Sequence, residues 1–384
     1  MINRDRITQH FLELVRIDSL SRKEREMALR LRTELEDLGA QVVIDDTGER
    51  VGGNTGNVIA YIQGNMPNAP PLLLSAHMDT VTPGEGVRPV VEGSVVKTDG
   101  STVLGGDDKS GVSAIMEVFR LLREQRLRHG DLDIVFTICE EVGLLGAKHL
   151  DISRLRARQG LVLDSDGVDA LVTRAPAADK MEFRVHGLEA HAGVAPEKGI
   201  SAIRVAAEAI ARMRLGRIDE ETTANLGIIQ GGLAVNIVPN LVVVRGEARS
   251  RDLAKLDAQT AHMRQCFREA TGRYRVELDG RVVEARVEEW IERDFAAMNL
   301  PDDARIVRLV REAGRTLGRS VTTRPSGGGC DANVLNGRGF QVANLGTGMR
   351  EIHTVNEWLD LNDLWQTTEL VLEVVKLNAT LTQG

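Results

Sequence analysis

The sequence PLLLSAHMD, at residues 71–79, decides the fold, because an apolar run ends there in polar residues. A short run of this kind, without alternating polar positions, is typical of a central strand in a sheet that is covered on both faces. His77 and Asp79 stand at the end of that strand. They are either unrelated polar residues at an exposed strand end or a functional pair, and the rest of the sequence has to distinguish the two.

Three similar apolar runs surround this strand: NVIAYI at 57–62, LDIVFTIC at 132–139 and GLVLD at 160–164. Apolar residues three or four apart predict amphipathic helices over 6–18, 22–38 and about 108–126. Strands that alternate with helices in this way indicate an α/β fold with a largely parallel sheet.

The pattern changes near Lys180, where the segments read strand, helix, strand, strand, helix and strand, the last being YRVELDGRVV at 274–283. This βαββαβ order predicts a ferredoxin-like domain. The α/β pattern returns after about residue 292, so the first domain is discontinuous. We therefore predict an α/β/α domain over 1–177 and 292–384, interrupted by an inserted domain over 178–291.

Composition and charge exclude several classes of protein. Only 3% of the 384 residues are aromatic and the net charge is −8, which argues against a nucleic-acid partner. The first twenty residues mix charged with apolar side chains, so we expect no signal peptide, no membrane span and a cytoplasmic protein. Cys139, Cys266 and Cys330 are too scattered for a disulfide framework or a thiolate zinc site, and we expect them to be reduced.

Acidic and imidazole side chains follow each predicted central strand. Because the carboxyl ends of parallel strands meet at one edge of a sheet, these side chains should converge. Several carboxylates at short range cannot all stay ionised without cations, so we expect one or two divalent metal ions. Imidazole and carboxylate ligands suit zinc, with manganese or cobalt as alternatives. The residues concerned are His77, Asp79, Asp107, Asp108, Glu140, Glu141, Asp164, Asp166 and His353.

Spacing suggests different roles for neighbouring acids. Asp79, two residues after His77, points to the same side of an extended segment and can orient the imidazole. Glu140 and Glu141 point opposite ways, so one can bind metal while the other moves a proton. Asp107 can also cap a helix. A phosphate loop is excluded, because its pattern needs glycine where Asp108 stands.

The order of these motifs resembles one known family over nearly the whole chain. The segments SAHMDTV, GGDDKSG, ICEEVGLLGAKHL, LVLDSDG, HAGVAPEKGISAI, NIVPN and GGGCDAN…GTGMREIHTVNEW are similar to the motif series of dinuclear zinc metallopeptidases, which include aminoacylase, glutamate carboxypeptidase, succinyl-diaminopimelate desuccinylase and peptidase T. The likeness is greatest to peptidase T-like members, through GGDDKSG and IHTVNEW.

The resemblance implies a role for each matching residue. It implies that His77 and Asp164 bind one zinc ion, that Glu141 and His353 bind a second, and that Asp107 bridges them. Asp166 stays an alternative to Asp164. Asp79 would orient His77, and Glu140 would act as general base and acid. Further residues are expected to reach the substrate: His191, Asn236 and Arg249, with Arg324 and Asn333 as secondary candidates.

The resemblance also implies what the whole molecule does. The inserted domain would be a lid and a homodimer interface, with His191 crossing into the partner's site. The expected activity is hydrolysis of short peptides by a di- or tripeptide aminopeptidase. An N-acyl-amino-acid amidohydrolase or a carboxypeptidase would use the same metal centre. A non-catalytic binding relative is less consistent with the sequence, because every ligand and the spare glutamate are present.

Overall fold

The computed structural model describes residues 2–380 and divides them into two compact units. The first unit consists of the residues up to Arg174, Asn299–Ser326 and the residues from Cys330 onward. The second consists of Ala175–Met298 and Gly327–Gly329. The chain therefore leaves the first unit and returns to it.

Helices and strands follow one another along the chain in three groups. Up to the end of the first segment they are α1 (Arg4–Val15), α2 (Arg25–Asp37), β1 (Gln41–Ile44), α3 (Thr47–Val51), β2 (Val58–Ile62), β3 (Leu72–His77), β4 (Val90–Glu92), β5 (Val95–Lys97), α4 (Gly106–Glu124), β6 (Leu132–Thr137), α5 (Leu145–His149), a 3-10 turn (Ile152–Arg154), β7 (Gln159–Asp166) and β8 (Ala170–Ala175). The insertion contains β9 (Ala177–His186), a 3-10 turn (Pro196–Lys198), α6 (Ala202–Ala211), β10 (Gly216–Arg217), β11 (Thr222–Gly231), β12 (Leu241–Ser250), α7 (Leu253–Thr271), β13 (Arg275–Leu278), β14 (Arg281–Glu284), β15 (Arg286–Phe295) and β16 (Met298–Asn299). The last segment contains α8 (Arg305–Thr316), β17 (Thr322–Pro325), α9 (Asp331–Gly337), β18 (Gln341–Arg350), β19 (Trp358–Asp360) and α10 (Leu361–Thr380).

The sheet of the first unit has the strand order β1-β2-β6-β3-β7-β18-β19-β5-β4. Its centre is parallel: β3 pairs with β6 and β7, and β7 pairs with β18. All six residues of β3 and of β6 are buried, which explains why both runs are largely apolar and do not alternate between apolar and polar residues. The carboxyl ends of these four strands consequently lie at one edge of the sheet.

Helices pack on this sheet and on one another. Helix α4 lies against β3 and β7 and contacts both α1 and α10, and α10 also contacts α8. Asp107 and Asp108 have non-helical backbone angles, so the regular part of α4 begins after them. The prediction of an α/β fold with a discontinuous sheet-and-helix domain is confirmed.

The second unit contains a sheet in the order β10-β11-β12-β9-β15, with all neighbours antiparallel. Helices α6 and α7 pack against each other, and their apolar side chains share a core with β9 and β12. The four long strands and two helices form the expected βαββαβ arrangement. The limits predicted for the inserted domain, residues 178–291, stay a prediction.

One strand of the insertion was predicted wrongly. The segment 274–283 is not the fourth strand but a hairpin, in which β13 pairs with β14 outside the main sheet. Asp279 and Gly280 both have positive φ angles, 50° and 73°. An Asp-Gly pair in that conformation makes a tight hairpin turn. The fourth strand is β15, which pairs with β9.

Candidate metal centre

Asp107 lies between the two imidazoles at the carboxyl edge of the sheet. Its Oδ1 is 2.9 Å from Nε2 of His77, and its Oδ2 is 3.2 Å from Nε2 of His353. His77 ends β3, whereas His353 follows β18, so the fold brings the two histidines to opposite oxygens of one buried carboxylate. This is the arrangement expected of a carboxylate that bridges two cations.

Asp164 and Asp166 occupy different environments. The side chain of Asp164 is 10% exposed, and its Oδ1 is 3.9 Å from Nε2 of His77. Asp166 is 60% exposed and forms an ion pair with Arg324. The geometry therefore favours Asp164 over Asp166 as a neighbour of His77, and it gives Arg324 a protein partner.

The two glutamates after β6 have separate surroundings. Both carboxylate oxygens of Glu141 are 3.0 Å from Nε2 of His353. Glu140 is 8% exposed, and it is the backbone N–H of Glu140, not its carboxylate, that bonds Asp79. Glu141 thus lies with the metal-ligating candidates, while the carboxylate of Glu140 remains available beside them.

Asp79 fixes the turn that carries these glutamates. Its Oδ1 accepts a hydrogen bond from the backbone N–H of Glu140 at 2.9 Å, and its Oδ2 accepts one from that of Glu141 at 3.2 Å. The hydroxyl of Ser21 donates to Oδ2 as well, at 2.6 Å. Nδ1 of His77 lies 2.9 Å from the main-chain oxygen of Asp79 and 3.5 Å from its carboxylate. Asp79 therefore orients His77 mainly through its backbone, and its carboxylate holds the Glu140–Glu141 turn.

Asp108 is engaged with the backbone. Its Oδ2 accepts from the N–H of His77 at 3.2 Å, and its Oδ1 accepts from the N–H of Gly111 at 3.1 Å. These bonds join the end of β3 to the first turn of α4. The side chain of Asp107 has no such backbone bond among the described contacts, which leaves its oxygens to the imidazoles.

Burial and charge perturb the pKa values at this edge. Burial raises the pKa of Glu140 well above its usual range, and the carboxylates of Asp331 and Glu141 raise it further. Burial likewise raises the pKa of Asp164, with Asp107 adding to the effect. Hydrogen bonds to Asp107 and Glu141 raise the pKa of His353 to about 10. The cluster thus carries an excess of negative charge that favours cations.

The donor set fits divalent metal ions. Ligand atoms of His77, Asp107 and Glu141 all lie within 4.8 Å of one another, and so do those of His77, Asp108 and Asp164. Imidazole nitrogen and carboxylate oxygen are both zinc, manganese and cobalt donors. Because the backbone already uses both oxygens of Asp108, Asp107 is the aspartate with oxygens free to reach a metal.

The predicted substrate residues lie in the second unit. Nδ1 of His191 accepts hydrogen bonds from the backbone N–H groups of Gly193 and Val194, each at 3.2 Å. The backbone N–H of Ala192 donates to the main-chain oxygen of Asn236 at 2.9 Å. His191 and Asn236 are therefore close in the fold. Arg249 lies near the other end of β12 and forms an ion pair with Glu247 at 3.0 Å.

Several site residues were not predicted. Ser21, which bonds Asp79, comes from the loop between α1 and α2 and has no motif of its own. Glu357, four residues after His353, binds three backbone N–H groups of the loop that carries Asp107. It stands within the segment IHTVNEW, so its position near His353 was a usable signal.

Asn333, in contrast, was predicted as a secondary substrate candidate. It is fully buried, and its Oδ1 accepts a hydrogen bond from the N–H of Cys330, which is a helix-capping contact.

Comparison with known proteins identifies the family. Residues 73–377 match the model of peptidase family M20/M25/M40. The chain belongs to this peptidase family. An uncharacterised Bacillus subtilis (strain 168) protein, YqjE, is 42% identical over 377 residues, which cover 98% of this chain and 99% of the relative.

Two solved structures extend the comparison to the whole peptidase. Aminopeptidase PepT from Bacillus cereus ATCC 10987 is 38% identical with a TM-score of 0.88, over 99% of this chain and 100% of the other. A tripeptidase from Staphylococcus aureus subsp. aureus Mu50 is 36% identical with a TM-score of 0.92, over the same shares. The prediction of a peptidase T-like metallopeptidase is confirmed. Across residues 2–380 of the peptidase, no helix combines the length and apolarity needed to span a bilayer.

Proposed function

We propose that this peptidase removes the N-terminal residue from di- and tripeptides at a centre of two divalent metal ions, and that these ions are zinc. The observation that carries the proposal is the position of Asp107 between His77 and His353. The carboxylate of Glu140 is near them and has no hydrogen-bond partner among residues 2–380. Full-length similarity to an aminopeptidase and a tripeptidase supports the choice of substrate.

The distances support the ligand set that the resemblance implies. His77 and Asp164 would hold one ion, Glu141 and His353 would hold the other, and Asp107 would contact both. The ions would supply positive charge to polarise the scissile carbonyl and to lower the pKa of the attacking water. The turn held by Asp79 keeps Glu141 at its proposed ligand position, with Glu140 directly before it.

Glu140 is the proton carrier in this proposal. Its carboxylate is buried and has a raised pKa, so it can accept a proton from the attacking water and return it to the leaving amine. Enzymes commonly raise the pKa of a catalytic glutamate in this direction, by burial and neighbouring charge. The adjacent Glu141 cannot replace it, because both of its oxygens lie against His353.

His191 is suited to stabilise the developing negative charge on the carbonyl oxygen. Nδ1 accepts two backbone N–H bonds, so the proton of a neutral imidazole is on Nε2. Nε2–H is then a donor on an exposed side chain. A donor directed at the developing oxyanion is a common source of rate enhancement in acyl transfer.

A substrate panel tests this function. With added Zn²⁺, Mn²⁺ or Co²⁺, we expect hydrolysis of free-amine tripeptides and dipeptides, and loss of that hydrolysis after chelation. Acetylation of the tripeptide N-terminus should abolish cleavage, since an aminopeptidase recognises the free amine. Cleavage of N-acetyl amino acids or of C-terminal residues would instead assign the centre to an acylase or a carboxypeptidase. Absence of metal-dependent hydrolysis of every substrate would contradict the proposal.

We further propose that the peptidase works as a homodimer through the second unit. Arg249 lies eight residues beyond the start of β12, roughly 26 Å along the strand, whereas the segment before that start carries Asn236 beside His191. One short peptide cannot contact both His191 and Arg249 of the same protomer over such a distance. Both residues can contact the same bound peptide if His191 reaches into the site of the partner subunit.

The surface of β11 supports this assembly. Strand β10 pairs only with Thr223 and Ala224, so within the described chain the remainder of β11 forms a sheet edge. Ile228 and Ile229 on this edge are 44% and 57% exposed, and Val235 in the following loop is fully exposed. An apolar free edge favours pairing with a second chain.

A charge placed on this edge tests the dimer. We expect Ile229→Lys to convert a dimer to a monomer in sedimentation analysis and to lower kcat, because His191 would lose its partner site. Val282→Lys is the matched control, since Val282 is similarly exposed, at 61%, but lies on the β13–β14 hairpin. A wild-type protein that is monomeric and fully active would contradict the proposal.

We also assign the protein to the cytoplasm. The three cysteines are all free and buried, as suits a reducing compartment. Recovery of the native protein in the periplasmic or membrane fraction of its host would contradict this assignment.

A further inference from the structure

We propose that Glu357 is a positioning residue that holds the Asp107 and His353 segments together and so sets the affinity of the metal centre. Its Oε2 accepts hydrogen bonds from the backbone N–H groups of Leu104 and Gly105, at 2.7 and 2.8 Å, and its Oε1 accepts from that of Asp107 at 2.9 Å. The inference rests on the metal centre proposed above.

The loop before α4 is shaped to receive this carboxylate. Gly105 has a φ angle of 73°, in the left-handed region that favours glycine, and this turns successive N–H groups toward one point. At Gly106 an added Cβ would lie 3.1 Å from Oε1 of Glu357, which leaves almost no space for a side chain. Together these features form an anion-binding loop whose anion is Glu357.

Glu357 connects the segment that carries His353 with the segment that carries Asp107. Glu357 lies four residues after His353, and one of the three N–H groups that it binds belongs to Asp107 itself. One side chain therefore connects two candidate metal ligands that are far apart in sequence. The hydroxyl of Ser110 adds a second link between the same segments, donating to Thr347 at 2.8 Å. Loosening the Glu357 contact should change the separation between the carboxylate of Asp107 and the imidazole of His353.

A buried carboxylate that binds backbone N–H groups could instead serve stability alone. The chain offers a matched control in Asp133, whose Oδ2 accepts from the N–H groups of Arg156 and Ala157, each at 2.7 Å. Glu357 is 1% exposed and Asp133 is 2% exposed. Asp133 lies near the start of β6, at the end of the strand away from Glu140. A stability role predicts similar behaviour for both residues, and a positioning role does not.

The test compares Glu357→Gln with Asp133→Asn. In Glu357→Gln the amide NH₂ must face at least one backbone N–H, so at least one of the three hydrogen bonds is lost without a change of size. We expect the dissociation constant of the metal-free protein for Zn²⁺ or Co²⁺, measured by chelator competition, to rise roughly 10–100-fold, as when an outer partner of a metal ligand is lost. In Asp133→Asn we expect a lower Tm with unchanged metal affinity.

The kinetic split and a second variant complete the test. At saturating metal, Glu357→Gln should lower kcat with little change in KM, because the substrate contacts are intact. Gly106→Ala, which presses on Oε1 without removing charge, should weaken metal binding in the same direction, and it carries the test if Glu357→Gln does not fold. Wild-type metal affinity in either folded variant would overturn the inference. The affinity is measured without substrate, so a failure of the aminopeptidase proposal would be seen separately.

Discussion

Glu140→Gln is expected to lower kcat roughly 10²–10⁴-fold while the metal ions stay bound, the range that a general acid–base group contributes. Glutamine has nearly the same shape, but it can neither accept the proton of the attacking water nor return it to the leaving amine. The backbone N–H of residue 140 still donates to Asp79, so the turn should persist. The measurement is steady-state hydrolysis of a free-amine tripeptide at saturating metal, with metal content determined on the same sample.

The control for this variant is Glu312→Gln, on the exposed face of α8, where we expect no change in kcat. Metal affinity provides an internal control, because Glu141 retains its position against His353. A Glu140→Gln protein that binds metal normally and keeps full activity would remove Glu140 from the mechanism. Loss of activity together with loss of metal would instead assign Glu140 to the ligand set.

Asp107→Asn is expected to weaken binding of both ions by more than roughly 100-fold. That figure is the upper end of the loss in metal affinity when a residue that only hydrogen-bonds a metal ligand is mutated. One oxygen of Asp107 faces His77 and the other faces His353, so replacing either oxygen by NH₂ removes a donor from one of the two ion positions. The remaining charge on the ligands also falls by one. Metal titration of the metal-free protein, followed by mass-spectrometric metal analysis, measures the change.

Asp108→Asn separates the roles of the two adjacent aspartates. Its oxygens accept from the N–H groups of His77 and Gly111, so we expect lower thermal stability with both ions still bound. The reverse pattern, in which Asp108→Asn loses metal and Asp107→Asn keeps it, would assign the ligand role to Asp108.

Much of the fold could be predicted because its physical causes are local. The runs before His77 and Glu140 are largely apolar, since both strands are buried on both faces at the centre of the sheet. Parallel neighbours then bring their carboxyl ends to one edge, which places the acids and imidazoles together. The convergence of His77 and His353 follows from strand order, and Asp107 joins them from the start of α4. The assignment of each residue to a particular ion stays a proposal.

Other features depend on contacts between distant segments and could not be predicted. The carboxylate of Asp79 reaches the N–H groups after β6, a different strand from its own, so its two-residue spacing from His77 suggested only part of its role. Glu357 binds a loop some 250 residues earlier in the chain. The β13–β14 hairpin could have been predicted locally, because the Asp279–Gly280 pair is a turn signal. The prediction of one continuous strand did not take that signal into account.

The proposed mechanism depends above all on two divalent ions, one on either side of Asp107, and anomalous X-ray scattering from crystals of the zinc-loaded protein would locate them. We predict two peaks at the zinc edge, one beside His77 and Asp164 and the other beside Glu141 and His353, with Asp107 between them. Two ions at such a centre should be about 3.5–4 Å apart. A single peak, or peaks away from Asp107, would contradict the proposed centre.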